Sequence, residues 1–466
     1  MKSIKLSGFT TEILAEFISG FSSDIIPATA FETAKKCIID IAAASLAGFK
    51  MVSSKAAKDM AKDLFSTGTS SVWFSGEFLN APGAAYVNSS FSSALDLDDG
   101  HRKAMGHPGA AIIPAALAVA EEIDASGIDF LTAVVIGYEI AVRVASARDH
   151  EKLDTLSSGK WCPYGVAAAG GWLYRFSPHK LAQAISIAGV QAPELSASGY
   201  SKIMGNNVKE GIPWSTVTGL SALMLAKNNY SGPLDILDHP GFYDSKKIIS
   251  GLGENYAIEN VYFKPYACCR WIHSAIDALL ILMDIHDLKQ EQISGIDVFL
   301  FKRALMLTNQ TCPETLEGAQ YSVQYAMAAA AVEGKEALCP MKFDLIHRKE
   351  IICFAEKIRL YEDLELTRLF PDFSPARIVI HSIKGDFEKF VKTPLGDPAN
   401  PMDLAMIENK INLIADQNSF SNIASRIVDN VKKIENDDVR SLSNILGHKL
   451  DSGSPQKDND QILRRK

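Results

Sequence analysis

No run of apolar residues in this chain is long enough to span a bilayer, and its richest apolar stretches are broken by charges or prolines, so they read as core helices. The opening segment, MKSIKLSGFTTEILAEFISGF, has no continuous apolar stretch of the signal-peptide kind, and a cytoplasmic setting is the expectation. Paired cysteines are missing as well. The seven cysteines are an odd number at irregular spacings: Cys268 and Cys269 adjoin, while Cys37, Cys162, Cys312, Cys339 and Cys353 are scattered. This argues for reduced thiols, and against a disulfide framework or a zinc or iron–sulfur centre. Basic charge is not in excess either. With 47 Lys and Arg against 55 Asp and Glu, the net charge is -8, which argues against nucleic acid as the main partner. A few local lysines can still form a positive pocket for a small anion.

Standard signatures are absent too. The sequence holds no GxxxxGK[ST], HExxH or GxSxG. GLGENY at Gly251 begins like a dinucleotide fingerprint, but Tyr256 stands in the third glycine's place and no strand precedes it. Neither a nucleotide nor another organic cofactor is expected.

What the chain does have is 466 residues, 47% of them hydrophobic, enough for a large core. From Pro27 to about Val190 the pattern is helical. PATAFETAKKCIIDIAAASLAGF repeats apolar positions at three- and four-residue spacing, with Gly48 as a stop. PGAAIIPAALAVAEEI and DFLTAVVIGYEIAVRVASA are apolar on most sides. YGVAAAGGWLYRF, SPHKLAQAISIAGV (Ser177 as cap, Pro178 at the first position) and STVTGLSALMLAKN continue the series. After about Val261 the character changes. ISGIDVFLFKRAL alternates like a strand, and ARIVIHSIKGDFEKFVKT reads as two strands joined at Lys384-Gly385-Asp386, with helical SVQYAMAAAAVEG and RKEIICFAEKI between them. Helices resume at PMDLAMIENKINLIADQ and SNIASRIVDNVKKI. The expected fold is mainly α. A helical domain spans 1–262 and returns over 398–450, an α+β insertion occupies 263–397, and a disordered tail runs over 451–466.

The stretch that calls for chemistry is ALDLDDGHRKAMGHPGAAIIPAALAVAEEI. It gathers Asp96, Asp98, Asp99, His101 and His107 in front of a helix that looks buried. A metal site, a helix cap with solvated charges, and an acid/base loop are the three readings. Calcium fails on spacing, because His107 stands where an EF-hand needs glutamate. A His/Asp zinc site stays open. His107 directly before Pro108 puts an imidazole at a helix N-terminus, which favours its neutral form and attracts anions. Asp96 is placed to act as a base or to hold a histidine in one tautomer. Lys209 in IMGNNVKEGIPW, and Lys264, Arg270 and His273 in VYFKPYACCRWIHSAIDALL, add cations suited to carboxylates.

Four blocks, ALDLDDGHRKAMGHPGAA, NNVKEGIPW, FKPYACCRWIHSAIDAL and AQYSVQYAMAAAAVEGK, occur in an order that resembles the MmgE/PrpD family over about residues 5–445. The resemblance implies a helical domain built from both chain ends with an α+β lid, a homodimer, and no metal or organic cofactor. It implies a lyase acting on a small di- or tricarboxylate, first of the 2-methylcitrate dehydratase kind. The alternatives are a cis-aconitate decarboxylase-like or iminodisuccinate epimerase-like enzyme, or a non-catalytic carboxylate-binding or interaction protein. Carried over by position, the family's site residues fall on Asp96, His107, Lys209, Lys264 and Tyr325. Arg270, His273, His101 and Cys162 are expected near the substrate. Lys209, Lys264 and Arg270 would clamp carboxylates, His107 with Asp96 would move the proton, and Tyr325 or His273 would act as second donor or anchor. The chain departs from the family pattern twice. Gly100, with one extra residue before His107, stands where a threonine is common, and Cys162 or Leu156 stands where many members carry histidine.

Overall fold

The computed structural model describes residues 8–149, 152–153, 155–193 and 205–450. The segment 451–466, expected to be disordered, lies outside them. Among the described residues, helices build most of the molecule and their sequences explain their close packing. Helix α1 (Ala28–Gly48) ends at the glycine that marks its stop. It is followed in the core by α2 (Ala81–Ser93), α3 (Gly109–Glu122) and α4 (Gly127–Ser146). α3 is buried along almost its whole length, and each of Ile112, Ile113 and Leu117 contributes about 1.5–3 kcal/mol by leaving water. Ser126 caps α4, its Oγ accepting the Asp129 N–H at 3.2 Å.

Helix α5 (Cys162–Leu173) packs on α4 with glycines at the crossing. A Cβ on Gly165 would overlap the Gly137 carbonyl, so the two backbones meet where no side chain intervenes. Ser177 and Pro178 open α6 (Pro178–Val190) as expected, with Ser177 Oγ accepting the Lys180 N–H at 3.4 Å. Helix α7 (Ile212–Lys227) then packs on α2, α5 and α6.

A two-residue ribbon joins distant parts of this helical body. Strand β1 (Gly100–His101) pairs antiparallel with β2 (Val261–Tyr262), Gly100 opposite Tyr262 and His101 opposite Val261. After β2 comes α8 (His273–Ile285), and then the larger sheet begins with β3 (Ile293–Leu300). Helix α9 (Val323–Glu333) separates β3 from β4 (Ile358–Glu362), β5 (Ala376–Ser382) and β6 (Gly385–Val391). The strand order is β4-β3-β5-β6, with β4 parallel to β3 and the other pairs antiparallel. Ile378 and Ile380 of β5 are buried, and α8 packs against β5 and β6. Ser382 pairs with Gly385, so the β5–β6 turn is Ile383-Lys384, slightly earlier than expected.

Strand β4 was not anticipated. Its IRLYE sequence follows the helical Lys349–Ala355 directly, and as an edge strand buried only at Ile358 it lacks a clear alternation. After the sheet the chain returns to the helical body. Helix α10 (Leu404–Gln417), capped by Asp403 through the Met406 N–H at 2.8 Å, packs on α1.

Candidate active site

The ribbon of β1 and β2 assembles the centre. It lays ALDLDD beside VYFKPY, so Asp96 meets Lys264, a neighbour 168 residues away in sequence. Gly100 is required at this crossing. A Cβ there would overlap the Tyr262 ring and hydroxyl. The Lys264 side chain is fully buried, and its Nζ donates to Asp96 Oδ1 at 2.8 Å and to the Asp96 carbonyl at 3.1 Å. Burial alone would lower the lysine's pKa, but the Asp96 charge and hydrogen bond, with Tyr262 and Asp98, together outweigh it and drive the pKa up. Asp96 itself has a left-handed backbone, φ 53°.

His107 stands over this pair. Its Nδ1 lies 3.1 Å from Asp98 Oδ2 and its Nε2 lies 3.5 Å from Asp96 Oδ1. Its backbone N–H donates to Ser158 Oγ at 3.0 Å. Burial and the Lys264 charge push the imidazole toward its neutral form. Asp98, through charge and hydrogen bond, and then Asp96 overcome both, and the pKa rises to about 9. The neutral imidazole expected from a helix end is therefore reversed. Two carboxylates outweigh a partial helix charge, and α3 starts at Gly109 with Pro108 as its cap. The partner that fixes the ring is Asp98, which sequence reasoning had left as a cap or supporting group. Burial pushes the Asp98 pKa up, but the His107 charge and hydrogen bond together with the Lys264 charge outweigh it, and the pKa is lowered.

Lys209, Glu210 and Gly211 take positive φ in succession, at 46°, 56° and 72°. For lysine and glutamate each such residue costs on the order of 1–3 kcal/mol, a kind of strain concentrated at functional sites. The strained turn is held by Ser158, whose N–H and Oγ donate to Glu210 Oε2 at 3.0 and 2.8 Å. Lys209 Nζ donates to the Gln320 amide oxygen. Burial lowers the lysine's pKa. Its hydrogen-bond partner is neutral, so its charge remains directed to the space in front of it. Ser93, Asp96, Asp98, His107, Lys209, Glu210, Ile212 and Tyr321 line a narrow cleft of about 10 Å³, room for about one water.

Of the nine candidates, Asp96, His107, Lys209 and Lys264 come together here. The others sit elsewhere or serve the frame. Tyr325 donates its hydroxyl to the Leu345 carbonyl at 2.6 Å, and the tyrosine lining the cavity is Tyr321, four residues earlier. Burial, and then the Asp96 charge, keep the Tyr321 phenol protonated. The Arg270 guanidinium donates to the carbonyls of Leu395 at 2.8 Å and Pro394 at 3.3 Å, and stacks on Tyr262 at 4.8 Å. Burial lowers its pKa to about 10. His273 is locked between Arg270 and the Cys268 carbonyl, and burial with the Arg270 charge holds its pKa far below the usual range. His101 belongs to β1, and burial and Lys103 pull its pKa to about 3. Cys162 Sγ donates to the His107 carbonyl at 3.6 Å, and burial and the Glu210 charge push its thiol up, so it supports the histidine's backbone as a neutral group. Sequence reasoning missed Asp98, Ser158, Glu210 and Tyr321. Only Glu210, adjacent to Lys209, carried a positional hint.

Asp96, Asp98 and His107 also offer donor atoms within 4.8 Å of one another, the composition of a metal cluster. Here Asp96 Oδ1 is engaged by the Lys264 ammonium and His107 Nδ1 by Asp98, so these groups are already paired with one another and with a buried lysine. The arrangement as built is protonic. An imidazolium clamped by two carboxylates faces a lysine whose charge is not consumed.

The MmgE/PrpD N-terminal domain model matches residues 12–246, and the MmgE/PrpD C-terminal domain model matches residues 266–433. The chain is 26% identical over 446 residues to a cis-aconitate decarboxylase of Aspergillus terreus, covering 88% of this chain and 89% of that protein. It is 26% identical over 488 residues to the cis-aconitate decarboxylase-like protein oryM of Aspergillus oryzae, covering 95% and 98%.

Proposed function

The chain belongs to the MmgE/PrpD family, and from that membership we propose that it is a lyase of small polycarboxylates whose favoured reaction is decarboxylation of cis-aconitate. The observation that carries this reading is the protonated His107, held at about 9 between Asp98 and Asp96 and opposite Lys209. Losing CO2 from an unsaturated tricarboxylate breaks a carbon–carbon bond. Its electron pair shifts through the double bond to the carbon beside a second carboxylate, and that carbon then takes a proton. The site needs a cation at the carboxylate where charge accumulates and an acid at that carbon. Lys209 supplies the first and the His107 imidazolium the second, with Asp98 keeping the ring oriented while the proton leaves. Solvent then reloads the histidine.

A dehydratase or epimerase would have to begin by removing a proton from carbon. His107 is charged at neutral pH and Asp96 is tied to Lys264, so neither is poised as that base. This, with the names of the relatives, favours decarboxylation over the 2-methylcitrate dehydratase-like reaction. The test is to incubate the protein separately with cis-aconitate, 2-methylcitrate and iminodisuccinate and follow each by proton NMR. Consumption of cis-aconitate with release of CO2 is expected. Dehydration of 2-methylcitrate alone, or no turnover of any of the three, would overturn the proposal.

A further inference from the structure

The two aspartates that meet His107 are separated by Leu97, and the Leu97 carbonyl is held from the far end of the chain. Lys410 of α10, 313 residues later, donates from Nζ to that carbonyl at 2.7 Å. The same Nζ donates to Asp40 Oδ1 of α1, also at 2.7 Å. Lys410 is only 4% exposed, and Asp40 and Leu97 are fully buried. Among the described residues, Asp40 Oδ2 has no hydrogen-bond partner. Two charges removed from water in this way add little net stability, and apolar replacement of such a pair is often neutral or better. A role beyond stability is therefore needed to account for it.

The loop provides one. Asp96 sits at φ 53°, a conformation that costs a non-glycine residue about 1–2 kcal/mol and that needs an external hold to persist. Leu97 is the one residue between Asp96, bound to Lys264, and Asp98, bound to His107. We propose that Lys410 is a positioning residue. By gripping the Leu97 carbonyl it fixes the turn that delivers Asp96 to Lys264 and Asp98 to His107, with Asp40 holding the lysine in place. The charged and titratable groups facing His107 are Asp96, Asp98 and Asp99 on its own loop, Lys264 after β2, Lys209 and Glu210 before α7, Tyr321 ahead of α9, and the Cys162 thiol of α5. None of these hydrogen-bonds Lys410, but Asp40 lies within charge range of Asp98, Asp99 and Lys264, so the double variant, which removes both charges of the pair, isolates the route through the loop backbone.

The test uses Lys410→Met and, because that variant alone strands the buried Asp40, the double variant Asp40→Asn with Lys410→Met. The first readout is the titration midpoint of the His107 imidazole, followed by NMR on the whole chain with labelled histidine and assigned with His107→Gln. The second is the rate on cis-aconitate, which rests on the proposed function. A folded double variant is expected to show the midpoint lowered by at least about one unit, a tenfold loss of proton affinity. Its kcat at neutral pH is expected to fall by more than about tenfold, with KM little changed. An unmoved midpoint overturns the positioning role whatever the rate does. A lowered midpoint in a chain whose parent turns over no polycarboxylate upholds the positioning role and removes the functional reading instead.

Discussion

Replacing Asp98 with asparagine keeps the shape of the side chain and removes the carboxylate that sets the charge of His107. The imidazole's rise from 6.5 to about 9 corresponds to about 3 kcal/mol of preference for the charged form. At pH 7 imidazolium then outnumbers imidazole by about a hundredfold. In the variant, burial and the Lys264 charge both act to lower the pKa, and only Asp96 at 3.5 Å opposes them. The midpoint should fall below about 6.5, leaving less than about a quarter of the histidines protonated at pH 7. The kcat–pH profile on cis-aconitate, which should decline through about pH 9 in the parent, is expected to decline near or below pH 6.5 in Asp98→Asn. Stability carries the same sign. Because the folded-state value lies above the unfolded one, this contact stabilises fully below about pH 6.5 and its contribution is lost as pH rises through about 9. The gap in melting temperature between parent and variant should therefore be widest near pH 6 and close above pH 9. An Asp98→Asn variant with its alkaline limb still near 9 and a melting gap independent of pH would refute the reasoning.

Lys264→Met should lower stability by about 3–5 kcal/mol, because it leaves the buried Asp96 carboxylate unpaired, and Asp96→Asn combined with it should recover most of that loss in denaturant melts without restoring activity. Lys209→Gln should keep the melting temperature within a few degrees and lower kcat/KM by about tenfold to a hundredfold, since its charge is bonded only to the neutral Gln320 amide. Tyr325→Phe should cost about 1 kcal/mol of stability for the lost hydrogen bond to Leu345 and leave kcat unchanged, while Tyr321→Phe should change kinetics more than stability. Cys162→Ser should retain the alkaline limb near 9, because a neutral thiol behind the His107 carbonyl takes no part in proton transfer.

The helical body was legible wherever alanine, glycine and aliphatic residues recur at helical spacing, and α1, α3, α4 and α6 lie within a few residues of where their patterns place them. Caps were legible for the same local reason, as Ser177 with Pro178 illustrates. β4 was hidden because a short edge strand with one buried residue follows a helix without a break. In the site, Asp96, His107, Lys209 and Lys264 were reachable through the resemblance of their blocks. Asp98 was not separable from Asp96 or Asp99 by spacing, since a tight loop turns neighbouring aspartates to different partners: Lys264, His107 and the Tyr138 hydroxyl. The choice of Tyr321 over Tyr325 depends on where α9 begins, at Val323, which puts Tyr321 in the loop ahead of the helix. Arg270 and His273 read as ligands from their clustering with Lys264 and from the resemblance, yet their donors and acceptors are taken up by carbonyls of 394–395 and Cys268. Lys410 gave no local signal, because its importance lies in a contact that only the return of α10 creates.

The central claim is that, as CO2 departs, the His107 imidazolium hands a proton to the carbon beside a second carboxylate that receives the shifted electron pair. It is tested most directly by reacting cis-aconitate in deuterated water with the parent and with His107→Gln. The parent should release CO2 and place one deuteron on the product's saturated carbon, which bears one of the two remaining carboxylates, and the variant should lose that reaction by more than about a hundredfold. A His107→Gln protein that decarboxylates at the parent's rate, or a parent that leaves cis-aconitate intact while dehydrating 2-methylcitrate, would contradict it.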